Sequence, residues 1–176
     1  GVAFAELHAT SSYAFLDGAA DPDAMVARAV ELGLTHLAIL DRDGFYGAVR
    51  FAEAAEHAGL ATVYGAEISL ARPLALLCRG PEGYRRLSHL MSDAHMRTRS
   101  KDEVAYPQIE QIAAELDGHC VVLADHSWLP ELGRLIDAFG ESRVVLEYGA
   151  TMKPEDADQH RALDGFNNLR RIVSAR

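Results

Sequence analysis

Five ionisable residues stand where apolar runs break off: His8, Asp41, Glu67, Asp125 and His126. Imidazole and carboxylate groups bind cations and move protons, so their recurrence at the ends of apolar runs points to a shared polar site. Each alone has a plainer account, because an Asp that ends a strand commonly serves as a turn or capping residue. Other chemistries lack their motifs. There is no Gly-x-Gly-x-x-Gly or Gly-x-x-x-x-Gly-Lys loop to cradle phosphates, and no Gly-x-Ser-x-Gly turn to expose a serine nucleophile. Cys78 and Cys120 each lie in an apolar run, where a thiol packs as a small hydrophobe, so neither a disulfide scaffold nor a zinc knuckle is indicated.

The elements that must position these residues alternate. Residues 3–7 predict a strand ending at His8, followed by loop chemistry through Ser11, Ser12, Asp17 and Gly18. Asp21 and Pro22 open a helix as cap and first-turn residue, and Gly33 ends it. Residues 36–40 form a continuous apolar run, as a strand buried on both faces shows. A helix carrying Phe45, Val49, Phe51, Ala52 and Ala55 follows, with strands at 61–68 and 74–78. Beyond these come a helix over 81–95 with Tyr84, Leu87 and Met91 on one face, a helix over 109–116 and a strand over 120–124. The chain closes with a helix over 129–139, a strand over 144–148 and mainly helix from Pro154. This alternation predicts an α/β fold of parallel βαβ units, a mostly parallel sheet or barrel, whose ligands gather at the strands' carboxyl ends. Two joins look discontinuous: 68–74 links two strands with almost no turn chemistry, and 164–176 passes from one helix pattern to another through Gly165-Phe166-Asn167-Asn168, so adjacency across either join is not assumed.

The chain has 176 residues, 26 acidic against 17 basic, for a net charge of −9. With 49% hydrophobic and 24% charged residues it predicts one folded domain over 1–176 rather than a disordered segment. No run approaches the ~18 apolar residues of a membrane span, and residues 1–8 lack the order of a signal peptide, so a cytoplasmic protein without membrane partners is expected. The acidic balance weighs against tight nonspecific DNA binding, which needs clustered Lys and Arg. Residues 97–101, with Arg97, Arg99 and Lys101, are the local exception. A solvated loop is the expectation there, and contact with DNA or another domain is the alternative.

Four segments taken in order are specific: Glu6-Leu7-His8-Ala9-Thr10-Ser11, Phe15-Leu16-Asp17-Gly18-Ala19, Leu37-Ala38-Ile39-Leu40-Asp41-Arg42-Asp43-Gly44 and Tyr64-Gly65-Ala66-Glu67. Together they resemble the PHP (polymerase and histidinol phosphatase) family. Within it they are similar to the amino-terminal domain of bacterial C-family DNA polymerases, above all the error-prone paralogue of the replicative alpha subunit. Pro81-Glu82-Gly83-Tyr84 fits the same branch, and the likeness is densest over the first half of the chain.

The resemblance implies a distorted (β/α)7 barrel, complete or incomplete in this chain, whose active members hold about three metal ions at the strands' carboxyl ends, where metal-bound water attacks phosphorus. It matches His8, Asp17 and Glu67 to family ligands, with His126 near a further ligand position. Thr10, Arg42 and Pro73 stand where the family has histidines. A guanidinium stays protonated in proteins, so Arg42 places a fixed positive charge where a cation belongs. The favoured reading is a vestigial polar cluster in which Arg42 pairs with Glu67 or Asp17 in place of a metal. If that pair were buried, removing Arg42 would cost roughly 3–5 kcal/mol. Asp41 is read either as a residue orienting a ligand or as a turn cap. The implied cofactor is zinc or manganese at a degenerate site, with no metal at all as an equal expectation.

The implied function is a mainly structural or docking domain of an error-prone DNA polymerase, whose parent protein performs DNA-directed synthesis in translesion and mutagenic repair. The expected partners are the remainder of the polymerase chain, DNA through it, and a sliding clamp or other mutagenesis proteins. A metal-dependent phosphoesterase or 3′–5′ exonuclease, and a free-standing enzyme like histidinol phosphatase, are the alternatives. Loss of several imidazoles weighs against both, since multi-metal catalysis needs every ion placed.

Overall fold

Strands of five to nine residues build the sheet, and amphipathic helices cover it. The computed structural model describes residues 13–17, 21–31, 36–100, 102–149 and 170–174. In chain order these form β1 (Tyr13–Asp17), α1 (Pro22–Glu31), β2 (His36–Arg42), α2 (Ala48–His57), β3 (Ala61–Ser69), β4 (Pro73–Cys78), α3 (Pro81–Met96), α4 (Ile109–Leu116), β5 (Cys120–Ala124), a 3-10 turn (His126–Glu131), α5 (Leu132–Phe139), a second 3-10 turn (Glu141–Arg143), β6 (Val144–Gly149) and β7 (Arg170–Ser174).

All seven strands lie in one sheet, in sequence order. Neighbours pair in parallel except β4, which runs antiparallel to both β3 and β5. The two terminal strands, β1 and β7, approach with Cα atoms within 8 Å, so the sheet curls toward closure. Inside the curve, Ala38, Leu40, Val63, Ala75, Leu77, Val121, Leu123 and Val145 form a cluster made of strand residues alone, the packed interior expected of a barrel. The alternate residues Ile68, Leu74, Leu76 and Val122 face outward and pack on Leu87, Leu90, Ile112 and Leu135 of the helices. Each such buried aliphatic side chain contributes about 1.5–3 kcal/mol relative to exposure. A smaller cluster seats α1 and α2 through Val26, Ala29, Phe51 and Ala55.

The departures from the sequence expectations have local causes. Residues 13–17, expected as loop, form β1 in parallel register with β2, from Tyr13 opposite His36 to Asp17 opposite Leu40. The join at 68–74 lacks no loop: Ser69 pairs with Pro73, leaving Leu70–Arg72 as a tight hairpin. So short a link cannot make a parallel crossover, which takes a dozen residues or more, and β4 must therefore reverse. Pro73 is tolerated because it is the first residue of its strand. Phe45 precedes α2 rather than belonging to it, and residues 126–131 wind as a 3-10 turn around Pro130 before α5 begins. Residues 170–174, expected within a largely helical tail, form β7 beside β6. The strand expected over 3–7 lies outside the described residues.

Candidate functional site

Reversal of β4 brings its first residue, Pro73, to the same sheet edge as the last residues of β1, β2, β3 and β5. Asp17 closes β1, Asp41 and Arg42 close β2, Glu67 lies near the end of β3, and Asp125 and His126 follow β5. His8 and Thr10 lie outside the described residues. Backbone register thus gathers most of the predicted residues at one edge; what their side chains do there differs from one to the next.

Arg42 and Glu67 are register partners across β2 and β3. The Arg42 Nη2 group donates to Glu67 Oε1 at 3.5 Å, with the two side chains 72% and 27% exposed. The pairing of Arg42 with Glu67 is present, but it stands in water, where such pairs contribute about 0–1 kcal/mol. The larger cost expected for a buried pair therefore does not apply. Asp41 acts as a bracket: its Oδ1 accepts from the Arg42 backbone N–H (2.9 Å) and its Oδ2 from that of Gly47 (2.8 Å), the residue that caps α2. That is the turn-and-cap role, and it occupies both oxygens.

On the far side of β4, Asp125 caps the 3-10 turn by accepting from the Ser127 backbone N–H (2.9 Å) and hydroxyl. His126, next in line, is exposed. Pro73 contributes its carbonyl, which accepts from the Trp128 indole N–H (2.8 Å). Arg72 ties the hairpin down, donating to Ser127 O (2.8 Å) while its guanidinium lies 5.3 Å from the Trp128 ring centre.

The residue that sequence reasoning passed over is Asp43. Its side chain is buried at 8% exposure, and its backbone is left-handed at φ 51°, a conformation Asp tolerates better than most residues. Oδ1 accepts from the Ser69 backbone N–H (2.8 Å) and the Tyr106 hydroxyl (2.7 Å), and Oδ2 accepts from the Ser69 hydroxyl (2.6 Å). Its carbonyl meets His95 Nε2 at 2.9 Å, and its own N–H donates to Glu67 O at 3.0 Å. Asp43 therefore knots the ends of β2 and β3 to the end of α3 and to the segment leading into α4. Burial, then the hydrogen bond and charge of Asp43, push the Tyr106 hydroxyl far above its ordinary range, so the phenol stays protonated and donating. The Asp43-Gly44 step after a strand signals a turn, but nothing local announces its distant partners.

Among the described residues, no three or more His, Cys, Asp or Glu side chains converge as a metal-holding group. Several of the described carboxylates are already engaged, since Asp41 accepts from two backbone N–H groups, Asp125 Oδ1 from Ser127, and Glu67 Oε1 faces a guanidinium. A cation at Glu67 would sit against the fixed charge of Arg42, and this part of the edge does not fit a multi-metal cluster.

A family model described as the PHP domain matches residues 6–151. The error-prone DNA polymerase of Corynebacterium glutamicum is 56% identical over 163 residues, which cover 92% of this chain and 16% of that protein. That of Mycobacterium tuberculosis is 40% identical over 192 residues, covering 94% of this chain and 17% of the polymerase. The chain thus spans about one sixth of the length of these relatives. Among solved structures, a protein assigned as a metal-dependent phosphoesterase from Bifidobacterium adolescentis superposes with a TM-score of 0.65 at 16% identity, covering 93% of this chain and 86% of that one. An amidohydrolase from Chromobacterium violaceum, solved with sulfate and without metal, gives a TM-score of 0.65 at 15% identity over the same shares. These likenesses in fold agree with the curled seven-stranded sheet, and the match over residues 6–151 establishes that the chain belongs to the PHP domain family.

Proposed function

We propose that this chain is the PHP domain of an error-prone DNA polymerase and that it serves there as a structural and docking unit rather than as a phosphoesterase. The identity to such polymerases over nearly the whole chain supports the parent. The observation that carries the structural role is the Arg42 guanidinium beside Glu67, a protein cation at the strand edge where a metal-dependent relative would use an inorganic one. The domain braces the remainder of the polymerase chain, which contacts DNA in mutagenic, translesion synthesis in the cytoplasm, and a clamp or other mutagenesis protein is a further partner of that assembly.

The test combines elemental analysis of the purified polymerase with a 3′–5′ exonuclease assay. Substoichiometric zinc and manganese, together with no chelator-sensitive cleavage of a primer 3′ end, is the expected result. Stoichiometric metal with chelator-sensitive cleavage would overturn the reading in favour of a phosphoesterase. Changing Thr10 and Arg42 together to His should raise metal affinity if those positions are vacated ligand sites.

A further inference from the structure

The two cysteines of the chain are 42 positions apart in sequence, yet Cys78 and Cys120 face each other across β4 and β5 as register partners. The neighbouring pair is Arg79 and His119, where the Arg79 N–H donates to His119 O at 2.8 Å. Hydrogen-bonded and non-hydrogen-bonded pairs alternate along an antiparallel ladder, so Cys78 and Cys120 occupy a non-hydrogen-bonded position. At such positions the Cα atoms approach to about 4.5 Å and the side chains lie closest, which is near the lower bound of about 4.4 Å for a disulfide.

Both sulfurs lie on the helix-covered face, in the same cluster as Leu87 and Leu116. Gly83 in the first turn of α3 packs directly over them. The Cys120 Sγ group meets Gly83 O at 3.8 Å, and a Cβ on Gly83 would stand 3.3 Å from that of Cys78 and collide with His119 O. Cys120 is 1% and Cys78 8% exposed, so Cys78 is the more accessible of the two. A hydrogen bond with the Cys120 thiol, then burial, push the Cys78 thiol well above its ordinary range, so little thiolate is present and its reaction with an oxidant is slow.

We propose that Cys78 and Cys120 are a reversible thiol–disulfide pair that staples β4 to β5, with hydrogen peroxide as the oxidant. Peroxide transfers one oxygen to the Cys78 sulfur as its O–O bond breaks, giving a sulfenic acid and one water. The Cys120 thiol then displaces that hydroxyl, the S–S bond forms and a second water leaves. Two thiols have lost two protons and two electrons, and one peroxide has become two waters. Close strand spacing strains such a bridge and makes it reducible, the property of a labile disulfide rather than a permanent one. Cys78 closes β4 at the edge opposite Pro73, so the staple forms away from the strand-end site and leaves Arg42, Asp43 and Glu67 untouched.

The experiment treats the intact folded chain with hydrogen peroxide, then denatures, alkylates and weighs it, with a non-reducing peptide map. Met96, 79% exposed, reports that oxidant reached the protein. The expected result is loss of two hydrogens, no alkylatable thiol, a peptide linking Cys78 to Cys120 within one chain, and recovery of both thiols with a monothiol. The Cys120→Ala variant should instead leave Cys78 open to trapping by dimedone. Two alkylatable thiols after Met96 has become the sulfoxide would overturn the proposal. So would a bridge between chains, or conversion of both cysteines to sulfinic acid without a bridge.

Discussion

Two carboxylates at neighbouring strand ends meet opposite fates. Glu67 stands at the rim, holding Arg42 at 3.5 Å in water, whereas Asp43 lies buried and accepts three hydrogen bonds from side chains and backbone. The first contributes little, because solvent screens an exposed ion pair and two long side chains lose freedom in forming it. The second matches no ligand position, yet it ties four segments together. Charge at a strand end is thus a poor guide to energetic weight until burial and partners are known.

Breaking the buried knot should have the largest effect. Asp43→Ala leaves the Ser69 N–H and Ser69 and Tyr106 hydroxyls without their acceptor and puts alanine in a left-handed conformation, for an expected loss of about 2–4 kcal/mol in urea unfolding. Asp43→Asn should cost much less, because its amide keeps one acceptor, can donate to a reversed Ser69 hydroxyl, and tolerates positive φ. Equal losses in the two variants would show that the hydrogen bonds are not what matters.

Tyr106→Phe removes one member of the knot and should cost about 1 kcal/mol. The same residue sets an alkaline limit. A phenol whose folded pKa is raised contributes stability that is present below its unfolded value near 10 and is lost as pH rises from there toward the folded value. Unfolding followed from pH 9 upward, in about one-unit steps, should therefore decline more steeply in the unsubstituted chain than in Tyr106→Phe; parallel curves would refute the linkage.

The rim should respond weakly. Arg42→Ala is expected to change stability by about 0–1 kcal/mol, less in high salt. A loss of several kcal/mol in calorimetry would mean that Arg42 is held far more tightly than a pair at 3.5 Å suggests.

The smallest effect belongs to the helical surface around Arg134, which donates through Nε and Nη2 to the two oxygens of Glu110 at 2.7 and 3.0 Å. That hydrogen-bonded guanidinium holds the Glu110 carboxyl at about 2. Because the folded value lies below the ordinary carboxylate value of about 4.3, the contribution is present above that value and fades as pH falls toward about 2. Arg134→Gln should return the Glu110 midpoint toward its ordinary value in a carboxyl-detected NMR titration, with little change in unfolding, since the pair lies on the exposed surface.

The alternation of strands and helices was legible in the chain, and α4 and β5 stand over the residues their patterns predicted, 109–116 and 120–124. Period and capping are local properties, so a short window contains all that decides them. The four ordered motifs likewise carried the family, and the type of residue 42 announced a cation without its setting. What only the tertiary structure decided depends on residues far apart. Asp43 reaches its partners across 26, 52 and 63 positions, and Cys78 meets Cys120 only because β4 reverses. Whether Arg42 is a buried counter-charge or a rim residue turned on the solvent around it, which no spacing encodes. Burial and long-range pairing are properties of the folded chain as a whole, and they fix which of its many polar residues do work.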